Sequence, residues 1–281
     1  MPTRRAVALL PAFALVLAMP PLLVAASCKA RGPRPLLLVT TTTTQDSGLL
    51  DRLVPAAERA LGRRIDVVAL GSGEALKHAE RGDADVLIAH SPAAEEAVEK
   101  AGHVVDRAPL MWNRFFVIGP AGDPARVREA VSAVNAFRRI RAAGAIFVSR
   151  GDQSGTHKKE QEIWAAAGLP ATDANVLATG QGQGETVLLA AEKSAYALCD
   201  SSTWTRMHVA GTVILFDPSS APRASGPSLV NAYHVMRENP ALHPSTDAAG
   251  SKVFEEWVLG PDARAILSSG GLFTAGAPPQ S

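Results

Sequence analysis

LLLVTTTTTQDSGLL, residues 36–50, leads from an apolar stretch through five consecutive threonines into a helical pattern. The apolar residues 36–39 are typical of a buried strand, and the spacing over residues 49–53 indicates the start of a helix. A threonine run can simply extend a strand, because β-branched residues fit a pleated surface. However, this run lies at the carboxyl end of a strand, where α/β proteins place their ligands. We therefore expect its hydroxyl and backbone N–H groups to face a small acceptor.

The same alternation of strand and helix continues along the chain. Short β-rich runs are separated by helical stretches, which is typical of parallel sheets with crossover helices. The predicted strands are residues 36–39, 65–70, 86–90, 115–119, 146–149, 195–199, 213–216 and 229–236. The fold class is therefore predicted to be α/β.

Two stretches that contain proline, residues 119–124 and 217–228, are the candidate crossings between two lobes. The chain has 281 residues and is 47% hydrophobic, which is enough for the core of one or two lobes. Because the chain would cross twice, one lobe is built from discontinuous segments. We predict lobe 1 from residues 34–118 plus 226–281, and lobe 2 from residues 119–225.

A second strand-to-helix junction is Gly71-Ser72-Gly73-Glu74. It follows the predicted strand 65–70 and precedes a helical stretch. Glycine lets the backbone approach a ligand closely, and Ser72 is expected both to cap the helix and to donate a hydrogen bond. A capped turn without any ligand explains the pattern equally well.

The third junction, SRGDQSGT at residues 149–156, is the strongest binding signal in the chain. It places Arg150 and two hydroxyls at the start of a helix, whose free N–H groups and partial positive charge favour anions. Arg150 can instead pair with Asp152 or Asp200 for structural reasons. Asp152 can equally orient Arg150 toward a ligand. We favour a ligand-binding role for Arg150.

A glycine-rich segment, GQGQGET at residues 180–186, precedes a further helical stretch. Its glycines are spaced one residue apart and no strand of adequate length leads into it. It therefore does not match a dinucleotide-binding fingerprint. We predict a tight turn that closes over the cleft.

These loops together offer many donors, one cation and few acceptors. Such a site suits a fully deprotonated oxyanion such as tungstate, molybdate or sulfate. Phosphate keeps a proton near neutral pH and needs a carboxylate to accept it. Nanomolar capture corresponds to about −12 kcal/mol, and each charge-assisted hydrogen bond contributes on the order of 1.5 to 3 kcal/mol. Several loops must therefore converge on one ion.

The first 27 residues differ in composition from the rest of the chain. Two arginines precede a long apolar run, as in an export signal, so residues 1–27 are predicted to be a signal peptide. The run ends in VAASC at residues 24–28, which resembles a bacterial lipobox with Ala25 where leucine is usual. Cys28 is the predicted lipidation site, with ordinary signal-peptidase cleavage as the alternative. We expect an exported protein, periplasmic or anchored to the membrane by lipid at Cys28.

Other functional classes have weak support in the sequence. The formal net charge is +1 and both signs are mixed along the chain, so we expect no nucleic-acid partner. A serine-dependent hydrolase is a remote alternative, because the surroundings of Ser154 do not match the Gly-x-Ser-x-Gly elbow. We therefore predict that the chain is not an enzyme. Arg-Gly-Asp at Arg81 and Arg150 is too short a match to indicate adhesion, and Cys199 is expected to be a buried free thiol.

The chain resembles the tungstate-binding proteins of the Tup type, which are relatives of molybdate and phosphate receptors. The matching segments are residues 40–50, 81–87, 116–120, 147–156 and 196–200. The resemblance implies a class II periplasmic binding protein fold, with two α/β lobes, a ligand cleft and a two-strand hinge. It also implies an extracytoplasmic substrate-binding protein of an ABC importer for tungstate, with molybdate next and sulfate or phosphate as the alternative.

By motif position, the resemblance implies the ligand-binding residues Thr42, Thr43, Thr44, Ser72, Gly73, Arg150, Ser154, Gly155 and Thr156. We also expect an ABC permease as partner, a monomer, and no cofactor or separate metal ion, since the metal enters only within the oxyanion. The chain departs from the family pattern at Thr43, where serine is usual, and at Glu74, Arg114 and Gln183, where glutamine, aspartate and methionine are common. Thr43 keeps a hydroxyl, whereas Glu74 and Arg114 bear on the ion preference.

Overall fold

The computed structural model describes residues 34–207, 209–220 and 226–279. The predicted signal peptide and Cys28 lie outside these residues. The strands of the described chain are β1 (Leu36–Thr41), β2 (Ile65–Leu70), β3 (Val86–Ala89), β4 (Val104–Pro120), β5 (Phe147–Ser149), β6 (Val176–Ala178), β7 (Tyr196–Asp200), β8 (Thr212–Phe216), β9 (Val230–Glu238) and β10 (Thr274–Ala275). The α-helices are α1 (Thr42–Asp46), α2 (Leu50–Leu61), α3 (Ser72–Arg81), α4 (Pro92–Lys100), α5 (Ala133–Ala142), α6 (Gly155–Ala167), α7 (Gln183–Glu192), α8 (Ser201–Met207), α9 (Ala248–Val258) and α10 (Pro261–Ser268).

The strands form one mixed sheet in the order β2-β1-β3-β9-β4-β7-β5-β6, and β8 and β10 also pair with β4. Strand β1 is parallel to β2 and β3, and β5 is parallel to β6 and β7. The central pairs β3/β9, β9/β4 and β4/β7 are antiparallel. The prediction of an α/β fold is confirmed. The expectation of parallel sheets is correct for the two outer parts and wrong for the centre.

Strand β4 joins the two parts of the sheet. It pairs with β9 as far as Arg114 and with β7 from Phe115 onward. Buried and half-buried side chains alternate over residues 111–116, which is typical of an antiparallel strand. Only the apolar end, residues 115–119, was predicted, because the earlier residues mix charged and apolar side chains. The chain thus changes partner within one strand, and the predicted lobe boundaries stay a prediction.

Apolar side chains on both parts of the sheet hold the helices in place. Phe137, Phe147 and Trp164 form an aromatic cluster that packs α5 and α6 against β5, with the Phe137 and Trp164 ring centroids 4.5 Å apart. Burial of each such side chain contributes about 1.5 to 3 kcal/mol. A second core around Leu36 packs α2, α9 and α10 against β1 and β9. Cys199 is a buried free thiol, as predicted.

Helices begin directly where several strands end. Helix α6 starts at Gly155, and the Ser154 hydroxyl accepts a hydrogen bond from the His157 N–H at 3.3 Å, so Ser154 is a helix cap. The prediction that Ser72 caps α3 is wrong, because the N-cap is Gly71 and Ser72 is the first helical residue. The Ser72 hydroxyl has a different partner, which lies in the third junction.

Candidate functional site

Two of the predicted junctions touch each other directly. The Gly155 N–H donates to Ser72 Oγ at 3.2 Å, which joins the start of α6 to the start of α3 across 83 positions of the chain. Beside this contact, a β-carbon added to Gly71 would lie 3.7 Å from the carbonyl oxygen of Asp152. The polar ends of β2 and β5 therefore meet at one place.

The threonine-rich junction reaches the same place through α1. Helix α1 lies against α7, and a β-carbon added to Gly182, the N-cap of α7, would be 3.3 Å from an Asp46 carboxylate oxygen. Burial raises the pKa of Asp46, and the nearby Arg150 guanidinium opposes that rise. We call the region formed by residues 42–46, 71–73, 150–156 and 181–183 the junction site.

Arg150 is the charged centre of the junction site, and its side chain is fully buried. Its Nε–H donates to the Gln181 carbonyl at 2.9 Å, and Nη1 donates to Gln183 Oε1 at 3.4 Å. Its Nη2 pairs with the Asp152 carboxylate, which also accepts from the Ser154 N–H at 3.1 Å. A guanidinium has five N–H donors, so two of them have no partner among the described residues. The pairing with Asp152 therefore still allows Arg150 to bind a ligand.

Glu160 lies beneath Arg150 and is also buried. Its carboxyl group accepts hydrogen bonds from the Ser149 hydroxyl and from the Arg150 N–H at 3.2 Å. Burial raises the pKa of Glu160 to about 8, against the effect of these hydrogen bonds. The protonated form therefore predominates at neutral pH, so Glu160 supports the loop without cancelling the charge of Arg150.

Two hydroxyls of the junction site are buried without a partner. Thr43 and Thr156 are 1% and 0% exposed, and their Oγ1 atoms make no hydrogen bond within the described part of the chain. The great majority of buried polar side-chain atoms have such a partner. By contrast, Thr44 Oγ1 pairs with Thr41 Oγ1 at 3.0 Å. The two unpartnered hydroxyls are therefore available to bind a polar ligand.

The predicted site residues divide by their surroundings. Five of them are buried in the junction site with a polar group directed to another loop or without a protein partner: Thr43, Ser72, Arg150, Gly155 and Thr156. Thr44 and Ser154 are buried with hydroxyls that serve the local fold. Thr42 and Gly73 are half-buried at the edge. The ligand role of all nine stays a prediction.

Of the four departures from the family pattern, Thr43 and Gln183 lie in the junction site, and Glu74 and Arg114 lie outside it. Glu74 points to the surface and pairs with Lys77 at 2.8 Å, with both side chains 59% exposed. Arg114 lies over the Trp112 ring, 5.2 Å from its centroid, in a separate cavity of about 380 Å³. Gln183, in contrast, is buried and contacts Arg150. Only Gln183 among these three belongs to the junction site.

Sequence reasoning missed two residues, Gln183 in the junction site and His90 beside it. Gln183 was expected only to form a turn, yet it is the first residue of α7 and holds Arg150 while its Nε2 donates to the Leu198 carbonyl at 2.9 Å. His90 was read as the last residue of a strand. It is 4% exposed and its ring lies against Gly155. The sequence signal that could have identified His90 is its position directly after the apolar strand β3.

A family model described as a PBP superfamily domain matches residues 25–262 of the chain. The tungstate-binding protein TupA of Peptoclostridium acidaminophilum is 36% identical over 253 residues, which cover 89% of this chain and 86% of that protein. This chain belongs to the TupA family within the PBP superfamily. The resemblance read from the threonine run and the SRGDQSGT motif is therefore confirmed.

Two solved structures of similar sequence have the same fold. The tungstate ABC transporter structure from Geobacter sulfurreducens has a TM-score of 0.73 and 37% identity, and the match covers 84% of this chain and 98% of that one. The tungstate-binding protein TupA from Desulfovibrio alaskensis G20 also has a TM-score of 0.73, with 35% identity over 87% of this chain and 100% of that one. The predicted periplasmic binding protein fold of the TupA family is thereby confirmed.

Proposed function

We propose that this protein is the extracytoplasmic substrate-binding component of an ABC importer and that it captures tungstate at the junction site. The observation that carries the proposal is the pair of buried hydroxyls, Thr43 and Thr156, without partners in the described chain, on loops that meet around the buried Arg150. Hydroxyl donors and a guanidinium together favour an anionic ligand. Two relatives named as tungstate-binding proteins, at 36% and 35% identity, support tungstate as that ligand.

A fully deprotonated dianion fits these donors better than an anion that carries a proton. Asp152 already accepts hydrogen bonds from Arg150 and from the Ser154 N–H. Glu160 accepts from Ser149 and from the Arg150 N–H. Because these two carboxyl groups are engaged in the protein, neither is directed to a proton of hydrogenphosphate, and the third carboxyl group of the site, Asp46, belongs to an exposed residue. We expect tungstate to bind most tightly, molybdate next, and sulfate and phosphate more weakly.

The donors suffice for tight binding only when they act together. The two remaining N–H groups of Arg150 and the two unpartnered hydroxyls give four hydrogen bonds to a charged ion. At about 1.5 to 3 kcal/mol each, they contribute about 6 to 12 kcal/mol before the cost of association. Backbone N–H groups at the starts of α3, α6 and α7 add to this attraction. Nanomolar capture, about −12 kcal/mol, therefore requires all three junctions.

We further propose that the two parts of the sheet act as lobes that close on the ion about β4 and β9. The hydrogen bond between Gly155 and Ser72 joins the start of α6 in one part to the start of α3 in the other and supports a closed arrangement. Export, a lipid anchor at Cys28, delivery to a membrane permease and a monomeric state belong to the same proposal. The TupA relatives of this chain support the transport role.

Catalysis by Ser154 receives no support from the geometry. The Ser154 hydroxyl accepts from the His157 N–H, as a helix cap does. The His157 ring accepts from the Gln153 N–H at 3.0 Å through Nδ1. The imidazole is therefore engaged with the backbone and does not act on the serine hydroxyl. We propose capture without chemical change.

Isothermal titration calorimetry with tungstate, molybdate, sulfate and phosphate tests the proposal. We expect tungstate to bind with nanomolar affinity and sulfate and phosphate to bind at least about a hundredfold more weakly, a difference of about 2.7 kcal/mol. Binding of phosphate without binding of tungstate would contradict the assignment. Equal affinity for all four ions would show that the site recognises charge alone.

A further inference from the structure

His90 ends a chain of buried hydrogen bonds that begins at Asp200. The Asp200 carboxylate accepts from the Ser202 and Thr203 N–H groups, each at 3.0 Å, and from both of their hydroxyls. Because two N–H groups and two hydroxyls donate to Asp200, its oxygens act as acceptors. The Asn113 amide faces Asp200 at 3.3 Å and must therefore present its NH₂ group to it.

The direction of this first bond fixes the direction of the following ones. Because Asn113 presents its NH₂ to Asp200, its carbonyl oxygen accepts from the Asn231 Nδ2 at 2.8 Å. The Asn231 carbonyl oxygen then faces His90 Nδ1 at 2.9 Å. An amide oxygen only accepts, so His90 Nδ1 must carry a hydrogen. Neutral His90 therefore has a lone pair, and no hydrogen, on Nε2.

This Nε2 atom is buried and lies beside the junction site. It has no hydrogen-bond partner among the residues that the structure describes. A β-carbon added to Gly155 would lie 2.5 Å from His90 Cε1 and 3.2 Å from Nε2. Gly155 is the residue whose N–H bonds to Ser72. The imidazole therefore packs directly on the loop that we propose to hold the oxyanion.

The surroundings of His90 determine its charge before an anion binds. Burial lowers the pKa of His90, while the Asn231 hydrogen bond and the carboxylates of Glu95 and Asp200 oppose this fall. Its ring stacks on Tyr233, with the centroids 4.5 Å apart. The positive charge of Arg150 also lowers the pKa of His90. Three charged residues of α6, Lys158, Lys159 and Glu162, line a cavity of about 190 Å³ together with His90. Before binding, the ring is neutral at neutral pH.

A dianion at the junction site has one negative charge more than the one guanidinium there can balance. The single guanidinium of the junction site is already paired with Asp152. Glu95 is engaged with Arg107 at 3.1 Å and His234 at 2.7 Å. A dianion in contact with a buried lone pair would be repelled, whereas an imidazolium N–H would attract it.

We propose that His90 is a further ligand-binding residue, whose Nε2 takes up one proton from the solvent as tungstate binds and then donates a hydrogen bond to it. The inference rests on the proposed function, since it needs a dianion at the junction site. The proton enters the Nε2 lone pair and converts the imidazole to imidazolium. Tungstate affinity therefore falls by up to about tenfold for each pH unit as the pH rises from the pKa of free His90 to the higher pKa of His90 in the complex.

Calorimetry of the protein with tungstate, in buffers of different ionisation enthalpy at one pH, tests the inference. The slope of the observed enthalpy against the buffer ionisation enthalpy gives the number of protons taken up. We expect a slope near one for the native protein and near zero for His90→Gln, which also loses at least about tenfold in affinity. His103→Gln, which changes a half-buried histidine outside the junction site that contacts His243, keeps the native slope.

The outcomes separate the two proposals. If tungstate binds to the native protein without any dependence on the buffer, the His90 inference is wrong and the proposed function stands. If tungstate does not bind, the proposed function and the inference both fail. If His90→Gln does not fold, His90→Asn offers a second variant, and a native slope near zero by itself refutes the inference. An unchanged slope in either folded variant would assign the proton to another group and overturn the inference.

Discussion

The junction after β1 and the junction after β5 are built from similar residues and work differently. The first consists of threonines where it leaves the strand, so it carries no charge there. The hydroxyls of Thr41 and Thr44 bond to each other, and the helix that follows, α1, has only five residues. The second holds a buried Arg150 between Asp152 and Glu160 and leads into the 13-residue helix α6. The comparison indicates that the first junction shapes the site and the second attracts the anion.

The largest expected effect is therefore on Arg150. Arg150→Ala removes two donors that have no other partner in the described chain and is expected to weaken tungstate binding by at least about a hundredfold, or about 2.7 kcal/mol. Titration calorimetry measures the change. Arg114→Ala, which removes a half-buried arginine outside the junction site, serves as the matched control and should stay within about twofold. If Arg150→Ala bound tungstate with unchanged affinity, the Arg150 guanidinium would not contribute to binding and this interpretation would be wrong.

A second effect concerns stability and depends on pH. The pKa of Glu160 is raised to about 8 in the folded protein from its ordinary value of 4.5. Between these values the folded protein holds a proton that the unfolded chain has released, so the free energy of unfolding falls as pH rises. Glu160→Gln should reduce this fall, as measured by denaturant unfolding across the window.

The control for that experiment lies on the same helix. Glu162→Gln changes an exposed carboxylate and should keep the native pH dependence. Part of the dependence is expected to persist in Glu160→Gln, because burial also raises the pKa of Glu238 to about 8. Identical pH profiles for the native protein and Glu160→Gln would show that Glu160 is ionised beneath Arg150.

A smaller effect separates the hydroxyls of the two junctions. Thr43→Val and Thr156→Val remove hydroxyls without protein partners, so we expect about tenfold weaker tungstate binding with no loss of stability. Thr44→Val removes a hydroxyl that bonds to Thr41 and should lower the free energy of unfolding by about 1 kcal/mol. Calorimetry and thermal melting measure the two quantities. If Thr43→Val lost stability but kept its affinity for tungstate, the Thr43 hydroxyl would serve the fold and not the ligand.

The smallest effect is expected at Glu74. Its pair with Lys77 is exposed, and exposed ion pairs contribute about 0 to 1 kcal/mol. Glu74→Gln, which restores the residue common in the family, should therefore leave the affinities for tungstate and molybdate unchanged within about twofold. A change in the ratio of the two affinities would show that Glu74 influences the preference between tungstate and molybdate.

Local patterns in the sequence predicted the junctions well. Strand β1 runs to Thr41, two residues past its predicted end at Val39, because the first two threonines extend the strand. Helix α6 begins at Gly155, within the motif where a helix start was predicted. The same patterns could not predict the antiparallel centre of the sheet. Pairing of β4 with β9 depends on residues that are far apart in the chain, and the mixed polarity of residues 104–114 hides the strand.

The residues missed at the site have a common cause. His90 acquires its role from Asn231, 141 positions away, and from Gly155. Gln183 acquires its role from Arg150. Neither contact is visible in the neighbouring residues along the chain. The error at Ser72 is similar, since its hydroxyl was expected to cap its own helix and instead accepts from Gly155.

The most direct test of the two-junction account is a crystal structure of the protein with tungstate, located by the anomalous scattering of tungsten. The account predicts one strong peak between the junctions, with oxyanion oxygens within about 3.2 Å of the Arg150 guanidinium and of Thr43 and Thr156 Oγ1. A tungsten peak elsewhere, with these three groups directed away from it, would contradict it.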